Sequence, residues 1–361
     1  MKTFFYTYDK LNPDNLLNEY GNVSDIVFID IETTGLSPLS SSIYLICAGY
    51  YDNNEYKIIQ WFAETPMEEP LVLKAFFDFL ESYRTLIHFN GDRFDIPFIE
   101  KRAEKHSIKS TLSSLNSVDI YKKIKPFKSV LGLQDLRQKT IELFLGIDRN
   151  DLYSGGELIP VYKKYTMKND DNLLKLLLLH NEEDVLNMHK IIPMLHFSKL
   201  DMVEPIFKKY EINTYKTFDN EAKKELIITC THKNTLPTSF KSNNNGIYVY
   251  FSNDGTLTIR LPIEEMELKL FYPDTNNYYY LPDEDTCIHK LVASAVDSSH
   301  REKAKKANCY TRHNGEFIPC KCSDVKHIFK RDYKSKDYYI LLNELPNMSS
   351  DELNMICKAF L

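Results

Sequence analysis

Three acidic segments of this chain carry residue types that could bind metal ions. The first contains Asp30 and Glu32 in the string D-I-E-T-T-G, directly after a short apolar run. Side chains alternate faces along a strand, so both carboxylates would project from the same side. Two carboxylates in that arrangement repel each other unless a cation lies between them. A bare D-x-E triplet occurs by chance in a chain with 51 acidic residues, but the longer string is more specific.

The second segment is H-F-N-G-D-R-F-D-I-P, in which Asp95 stands at the predicted start of a helix. Two interpretations are open for Asp95. It could be the N-cap of that helix, with Pro97 in the first turn, or it could bind a metal ion. One aspartate can also do both.

The third segment is H-N-E-E-D, which contains His180 and Asp184. Residues four apart share one face of a helix, and the leucine-rich run 173–179 would anchor that helix in a core. Taken alone, the segment also fits a solvated acidic face with an incidental histidine. The three segments in this order are together improbable by chance.

The elements that would position these residues follow from the apolar periodicity. Strands are predicted at 27–31, 43–51, 56–62, 85–89 and 117–120, with a turn at 52–54. Helices are predicted from Pro70, over 96–106, in segments up to Leu145 and over 171–195. This is the element order of an RNase H-like α/β domain, in which helices flank a mixed sheet.

After about residue 200 the sequence favours a smaller, strand-rich α+β domain. Two hairpins are predicted, 246–251 with 256–261 and 266–272 with 278–281, followed by a helix from Pro282. We therefore predict a lead-in over 1–23, an RNase H-like domain over 24–198 and a second domain over 199–361.

Charge and aromatic content suggest a role for the second domain. The whole chain has a net charge of −6, but residues 301–340 hold eleven Lys or Arg and five Asp or Glu, a local net of +6. Positive charge follows a phosphate backbone and rings stack on bases, so this segment could bind nucleic acid. A solvated face with core aromatics is an equal alternative. The interleaved rings are Tyr310, Phe317, Phe329, Tyr333, Tyr338 and Tyr339.

The cysteines and the apolar runs bear on the cellular compartment. Seven scattered cysteines, an odd number, are typical of reduced thiols in a cytoplasmic protein. No run approaches the ~18 apolar residues of a membrane span, so no membrane partner is expected.

A group of cysteines and histidines in the second domain could bind structural zinc, but this is the less favoured interpretation because the spacing lacks C-x-x-C pairs. That group is Cys309, His313, Cys320, Cys322 and His327.

The three acidic motifs, in this order, resemble those of the DEDD exonucleases. More narrowly, roughly residues 24–198 resemble the YprB-type RNase H-like exonuclease domain. The segments V-D-I-Y, L-Q-D-L and I-P-V-Y also follow in the order of that family. The resemblance implies Asp30, Glu32, Asp95 and Asp184 as ligands of two Mg²⁺ or Mn²⁺ ions. It also implies 3′–5′ hydrolysis of DNA or RNA from a single-stranded end, without a dinucleotide cofactor.

His180 departs from the family pattern. DEDD enzymes place Tyr four residues, or His five residues, before the last Asp. Here His180 stands at the tyrosine spacing, and Leu179 holds the other position. Histidine titrates near neutral pH, so His180 could still orient or deprotonate water.

The residues next to the motifs suggest how substrate would be held. Thr33, Asn90 and Phe94 lie beside the motifs in sequence and could contact the terminal nucleotide, although core packing is at least an equal alternative for Phe94. Two other functions are open: a non-catalytic nucleic-acid-binding protein on an RNase H-like fold, and a structure-specific endonuclease. The presence of all four carboxylates argues against the first of these.

Overall fold

The computed structural model describes residues 1–9, 11–53, 55–151, 153–233 and 236–361. The chain separates into two compact units, Met1–Lys128 with Leu133–Lys199, and Ser129–Gly132 with Leu200–Leu361. Asn54, in the predicted turn 52–54, lies outside the described residues. Among the helices in the described ranges, none combines the length and apolar character needed to cross a membrane.

The first unit is built on one mixed sheet. Its strands are β1 (Lys2–Tyr8), β2 (Ile26–Thr33), β3 (Ile43–Asp52), β4 (Glu55–Phe62), β5 (Thr85–His88) and β6 (Asn116–Asp119). The sheet order is β1-β4-β3-β2-β5-β6. Strand β2 pairs antiparallel with β3 and parallel with β5. The first acidic motif therefore lies at the centre of the sheet.

Helices pack on this sheet. They are α1 (Glu69–Leu80), α2 (Asp95–Lys105), α3 (Ile120–Ile124), α4 (Gln138–Phe144), α5 (Gly155–Lys168) and α6 (Asp171–Lys190). Nearly every residue of β2 and β3 is buried, which is the pattern of strands covered on both faces. Leu177 and Leu178 anchor α6 in the core.

Sequence periodicity missed two elements of this unit and misplaced the end of a third. Strand β1 alternates half-buried and exposed residues and pairs with β4. Helix α5 begins with two glycines and contains Pro160, which obscure its periodicity, but Ser154 and Glu157 form a capping box. Helix α6 ends at Lys190 instead of residue 195, because Pro193 disfavours helical backbone before it.

The second unit is rich in strands. They are β7 (Ile206–Lys216), β8 (Ala222–Thr231), β9 (Phe240–Asn244), β10 (Ile247–Phe251), β11 (Thr256–Phe271), β12 (Tyr278–Leu281), β13 (Thr286–His289), β14 (Glu302–Lys303), β15 (Tyr310–Cys320), β16 (Phe329–Lys330) and β17 (Tyr338–Leu341). Its α-helices are α7 (Lys290–Ala293) and α8 (Ser350–Lys358). Strand β11 pairs with β8, β10, β15 and β16, whereas β12, β13 and β14 form a separate small sheet.

One predicted hairpin of this unit is confirmed and two other predictions are wrong. Strands β10 and β11 form the hairpin predicted for 246–251 and 256–261. Residues 266–271 instead continue β11 and pair with β15, so 266–272 and 278–281 do not form a hairpin. No helix starts at Pro282, because Asp285 has a φ of 48° and turns the chain from β12 into β13. Leu291, which the predicted helix from Pro282 would have carried on its apolar side, is 82% exposed.

Candidate active site

Strand β2 presents the first two carboxylates. Asp30 and Glu32 lie two residues apart, so the pleat directs them to the same face. The side-chain amide of Asn181 donates to Oδ2 of Asp30 at 2.7 Å. The hydroxyl of Tyr44 donates to Oε2 of Glu32 at 3.4 Å. Both carboxylates therefore have neighbours that limit their orientation.

Asp95 is the first residue of α2. The cap position belongs to Phe94, which makes no side-chain capping bond, so the N-cap interpretation of Asp95 is wrong. Asp95 is 7% exposed, and the nearby backbone of Asp95 itself and of Ile31 lowers the pKa of its carboxyl group against the effect of burial. The start of α2 thus carries Asp95 to strand β2.

Helix α6 supplies His180 and Asp184 on one face, as their spacing predicts. The Nε2 atom of His180 lies 3.3 Å from Oδ2 of Asp184 and 3.3 Å from Oε1 of Glu32. His180 is 4% exposed. The interpretation of this segment as a solvated face with an incidental histidine is wrong.

The electrostatics of the four carboxylates indicate a deficit of positive charge. Burial raises the pKa of Asp30 well above its ordinary value, and the charges of Asp184, Asp95 and Glu32 raise it further. Burial also raises the pKa of Glu32 to about 7 and that of Asp95 to about 7, and the charge of Asp184 contributes at both. Hard divalent cations prefer carboxylate oxygen ligands, so this donor set fits a metal ion.

Arg149 and Asp151 belong to the site, although no sequence motif indicated them. Both come from the loop between α4 and α5. Nη2 of Arg149 donates to Oδ1 of Asp184 at 2.6 Å. Oδ2 of Asp151 lies 2.7 Å from Nδ1 of His180. No signal in the local sequence could have found this pair, because it contacts the motif only through the fold.

The remaining acidic residues of the third motif have structural roles. The carboxylate of Glu183 accepts the backbone N–H of Asn150 at 3.1 Å and that of Asp151 at 2.7 Å. It thereby fixes the loop that carries Arg149. Glu182 accepts a hydrogen bond from the hydroxyl of Tyr8 on β1. These contacts explain two carboxylates that the sequence analysis left without a function.

The residues expected to contact a nucleotide lie at different depths. Thr33 is buried, and its hydroxyl donates to the carbonyl of Gly35 at 2.9 Å. Asn90 adopts a φ of 60°, and its Oδ1 is buried with no hydrogen-bond partner among the described residues. Phe94 packs partly against the core, with its ring 5.4 Å from that of Phe98. In the part of the chain that the structure describes, Asn90 thus retains an acceptor without a partner, whereas Thr33 and Phe94 have internal contacts.

A second group of possible ligands, His88, Asp92 and Asp119, lies at the ends of β5 and β6. The backbone N–H of Gly91 donates to Nδ1 of His88 at 3.1 Å, so the neutral ring carries its proton on Nε2. That Nε2 lies 2.8 Å from Oγ of Ser117. Hydrogen bonds therefore hold this group together. The group also affects the first site, because the negative charge of Asp119 contributes to the raised pKa of Asp95.

The aromatic residues of 301–340 divide between core and surface. Phe317 and Phe329 are fully buried in one hydrophobic cluster, and Tyr310 is also buried. Tyr338 and Tyr339 are half-buried beneath Lys330 and Arg331 respectively, and Tyr333 is exposed. Of the six rings, those available to stack on bases are therefore Tyr333, Tyr338 and Tyr339. Within the described residues, neither group of possible metal ligands includes a cysteine of the second unit.

The fold of the first unit is that of the RNase H-like class. Residues 27–196 match the family model described as the RNase_H superfamily. Strands β4-β3-β2-β5-β6, with β3 antiparallel to its neighbours, form the mixed sheet of this class, flanked by helices. The predicted fold class is confirmed.

Several solved structures are similar to this chain. A family B DNA polymerase from Pyrobaculum calidifontis aligns at 17% identity over 49% of this chain and 26% of its own, with a TM-score of 0.39. Escherichia coli exonuclease I in complex with single-stranded DNA aligns at 13% identity over 57% of this chain and 54% of its own, with a TM-score of 0.29. The chain thus spans about a quarter of the polymerase and about half of the exonuclease.

Proposed function

We propose that this protein is a metal-dependent nuclease that hydrolyses phosphodiester bonds, and specifically a 3′–5′ exonuclease of the YprB type. The observation that carries the proposal is the convergence of Asp30, Glu32, Asp95 and Asp184 from β2, α2 and α6. Glu32 and Asp95 are buried, and Asp30 and Asp184 are half-buried. Structural cores rarely gather four carboxylates at such depth, because an ionised group loses hydration there. Such a cost is typical of sites that bind cations.

The same four carboxylates would hold two divalent ions, Mg²⁺ or Mn²⁺. Bound cations of this kind neutralise the phosphate and lower the pKa of a bound water. The raised pKa values of Asp30, Glu32 and Asp95 support this assignment, because each carboxylate lies near other negative charges.

The protein's own side chains prepare these ligands. Asn181 orients Asp30, and Tyr44 orients Glu32. Arg149 holds one oxygen of Asp184 and leaves Oδ2 directed toward His180. Because these partners are fixed before substrate binds, little reorganisation is needed during the reaction.

The direction and the substrate follow from the motif resemblance. We propose a single-stranded 3′ end of DNA or RNA as the substrate and a cytoplasmic location. Residues 24–198 would form the nuclease domain, and residues 199–361 would add a nucleic-acid-binding surface. The exposed and half-buried rings beside Lys330 and Arg331 support that second role.

Degradation assays test the proposal directly. Wild-type protein is incubated with 3′- or 5′-labelled single- and double-stranded DNA and RNA and either Mg²⁺ or Mn²⁺. We expect mononucleotides from the 3′ end, with activity at least about 1,000-fold lower in Asp30→Ala, since the loss of about 4 kcal/mol of transition-state stabilisation has this effect. Asp148→Ala, an exposed position, is the matched control.

The alternatives predict different products. Cleavage of circular single strands would favour a structure-specific endonuclease. Binding without cleavage under every condition would favour a non-catalytic nucleic-acid-binding protein. Equal activity in wild type and Asp30→Ala would contradict the catalytic assignment.

A further inference from the structure

Three side-chain atoms that could bind a metal ion face one another beside helix α6. The Nε2 atom of His180 lies 3.3 Å from Oε1 of Glu32 and 3.3 Å from Oδ2 of Asp184. All three atoms lie within 4.8 Å of one another. Ligands placed about 2.1 Å from a metal ion and at right angles lie about 3.0 Å apart. The two separations of 3.3 Å are close to that of ligands around one ion.

Asp151 determines what Nε2 can do. Its Oδ2 lies 2.7 Å from Nδ1 of His180, and its carboxylate is 5% exposed. Its two carboxylate oxygens accept hydrogen bonds from Nζ of Lys139 at 3.1 Å and from the backbone N–H of Tyr153 at 3.1 Å. A carboxylate surrounded by donors accepts hydrogen bonds, so Nδ1 carries the ring proton. In the neutral ring, the lone pair of Nε2 then points toward Glu32 and Asp184.

This arrangement is common among histidines that bind metals. Such a histidine usually donates its other ring N–H to a carboxylate, which fixes the tautomer and makes the ligating nitrogen more basic. The contacts of Asp151 with Lys139 at 3.1 Å and Arg149 at 3.3 Å hold that carboxylate in place.

We propose that His180 is a direct metal ligand through Nε2, together with Glu32 and Asp184, and that Asp151 is its positioning residue. This inference rests on the proposed function, because it assumes that the site binds divalent ions. Mg²⁺ takes oxygen ligands, while sites with nitrogen and oxygen donors bind first-row transition ions. The imidazole therefore makes the site prefer Mn²⁺ over Mg²⁺.

Electron paramagnetic resonance of Mn²⁺ bound to the full chain tests this ligand without an activity assay. We expect electron spin-echo modulation from a directly bound imidazole ¹⁴N in wild type. His180→Gln should lose this modulation while still binding Mn²⁺. The chain contains 10 histidines, so the variant assigns the signal to one of them.

Affinity measurements test the metal preference and the role of Asp151. We expect the ratio of the Mg²⁺ to the Mn²⁺ dissociation constant to fall about tenfold in His180→Gln. Asp151→Asn should weaken Mn²⁺ binding 10- to 100-fold, the usual effect of losing a ligand's carboxylate partner. Asp148→Asn makes the same change in charge at an exposed position of the same loop and should have no effect.

The outcomes separate this inference from the proposed function. Mn²⁺ binding without ¹⁴N modulation in wild type would overturn the role of His180 and leave a carboxylate-only metal site. An unchanged metal preference in His180→Gln would also overturn it. Failure of wild type to bind Mn²⁺ or Mg²⁺ would overturn the metal-dependent function itself. The wild-type spectrum needs no variant, so a folding defect in one variant cannot decide the result.

Discussion

Arg149 donates from Nη2 to Oδ1 of Asp184 at 2.6 Å, so the last carboxylate of the site is held by a cation of the protein itself. Nη1 of the same guanidinium donates to Oε1 of Glu142 at 3.1 Å, and its side chain is 8% exposed. A loop residue without a sequence motif thus connects α4, α6 and the site. Its removal would leave buried carboxylates without their partner.

Arg149→Gln should reduce the stability of the metal-free protein. Removing one partner of a buried ion pair destabilises a protein by about 3–5 kcal/mol, because an uncompensated charge remains. We expect lower urea resistance of the metal-free variant and partial recovery with Mn²⁺, which would supply positive charge near Asp184. Urea unfolding with and without Mn²⁺ measures both effects. Stability equal to that of wild type would show that this ion pair contributes little.

Asn181→Leu should impair activity more than it impairs folding. Asn181 is fully buried, donates to Asp30 and accepts from Nε2 of Gln60 at 3.2 Å. Loss of the two hydrogen bonds should cost about 1–3 kcal/mol of stability. Because Asp30 also loses its orientation, we expect kcat to fall at least about tenfold, a change of about 1.4 kcal/mol in the barrier. Chemical denaturation and kcat measured on the same preparation test this; a loss of stability with unchanged kcat would limit Asn181 to a structural role.

Metal binding should strengthen as pH rises from about 6 to 8. Glu32 and Asp95 have pKa values of about 7 in the folded chain, above the ~4 expected for the unfolded chain. Between those values the folded state binds more protons, so metal-free stability falls as pH rises. An ion competes with these protons, and each group protonated at pH ~6 weakens binding about tenfold. Calorimetric titration with Mn²⁺ at both pH values tests the sign, and an affinity that does not change with pH would contradict it.

Basic residues near Asn90 should bind the phosphates of a strand. A groove lined by Asn90, Tyr121, Lys125, Lys128 and Arg137 lies in the first unit. For single strands, the logarithm of the binding constant falls with the logarithm of the salt concentration, and each phosphate contact contributes about 0.7 to the steepness of this fall. We expect Lys125→Ala combined with Lys128→Ala to make the slope less steep by about 1.4. The double variant should also raise KM more than it lowers kcat. Fluorescence anisotropy across a salt series measures the slope. A double variant that matches wild type would place the strand elsewhere.

Much of the candidate site could be predicted from the sequence, since its residues lie on regular elements. The pleat of β2 places Asp30 and Glu32 on one side, and the helical repeat of α6 places His180 beside Asp184. Both relations span four residues or fewer, so local geometry decides them. The strands and helices that carry these residues were predictable for the same reason, because their apolar periodicity is strong.

Only the tertiary structure decided which partners meet the motifs. Asp151 lies 29 positions before His180, Arg149 lies 35 before Asp184, and Asn181 lies 151 after Asp30. An irregular loop imposes no periodicity on its sequence, so nothing local marks Arg149 or Asp151 as site residues. Strand pairing in the second unit could not be predicted from local sequence patterns either. Residues 266–271 have the sequence of a strand, but strand propensity does not determine which strand they pair with. Short-range geometry therefore determined the candidate ligands, and long-range packing decided how their charges and orientations are controlled.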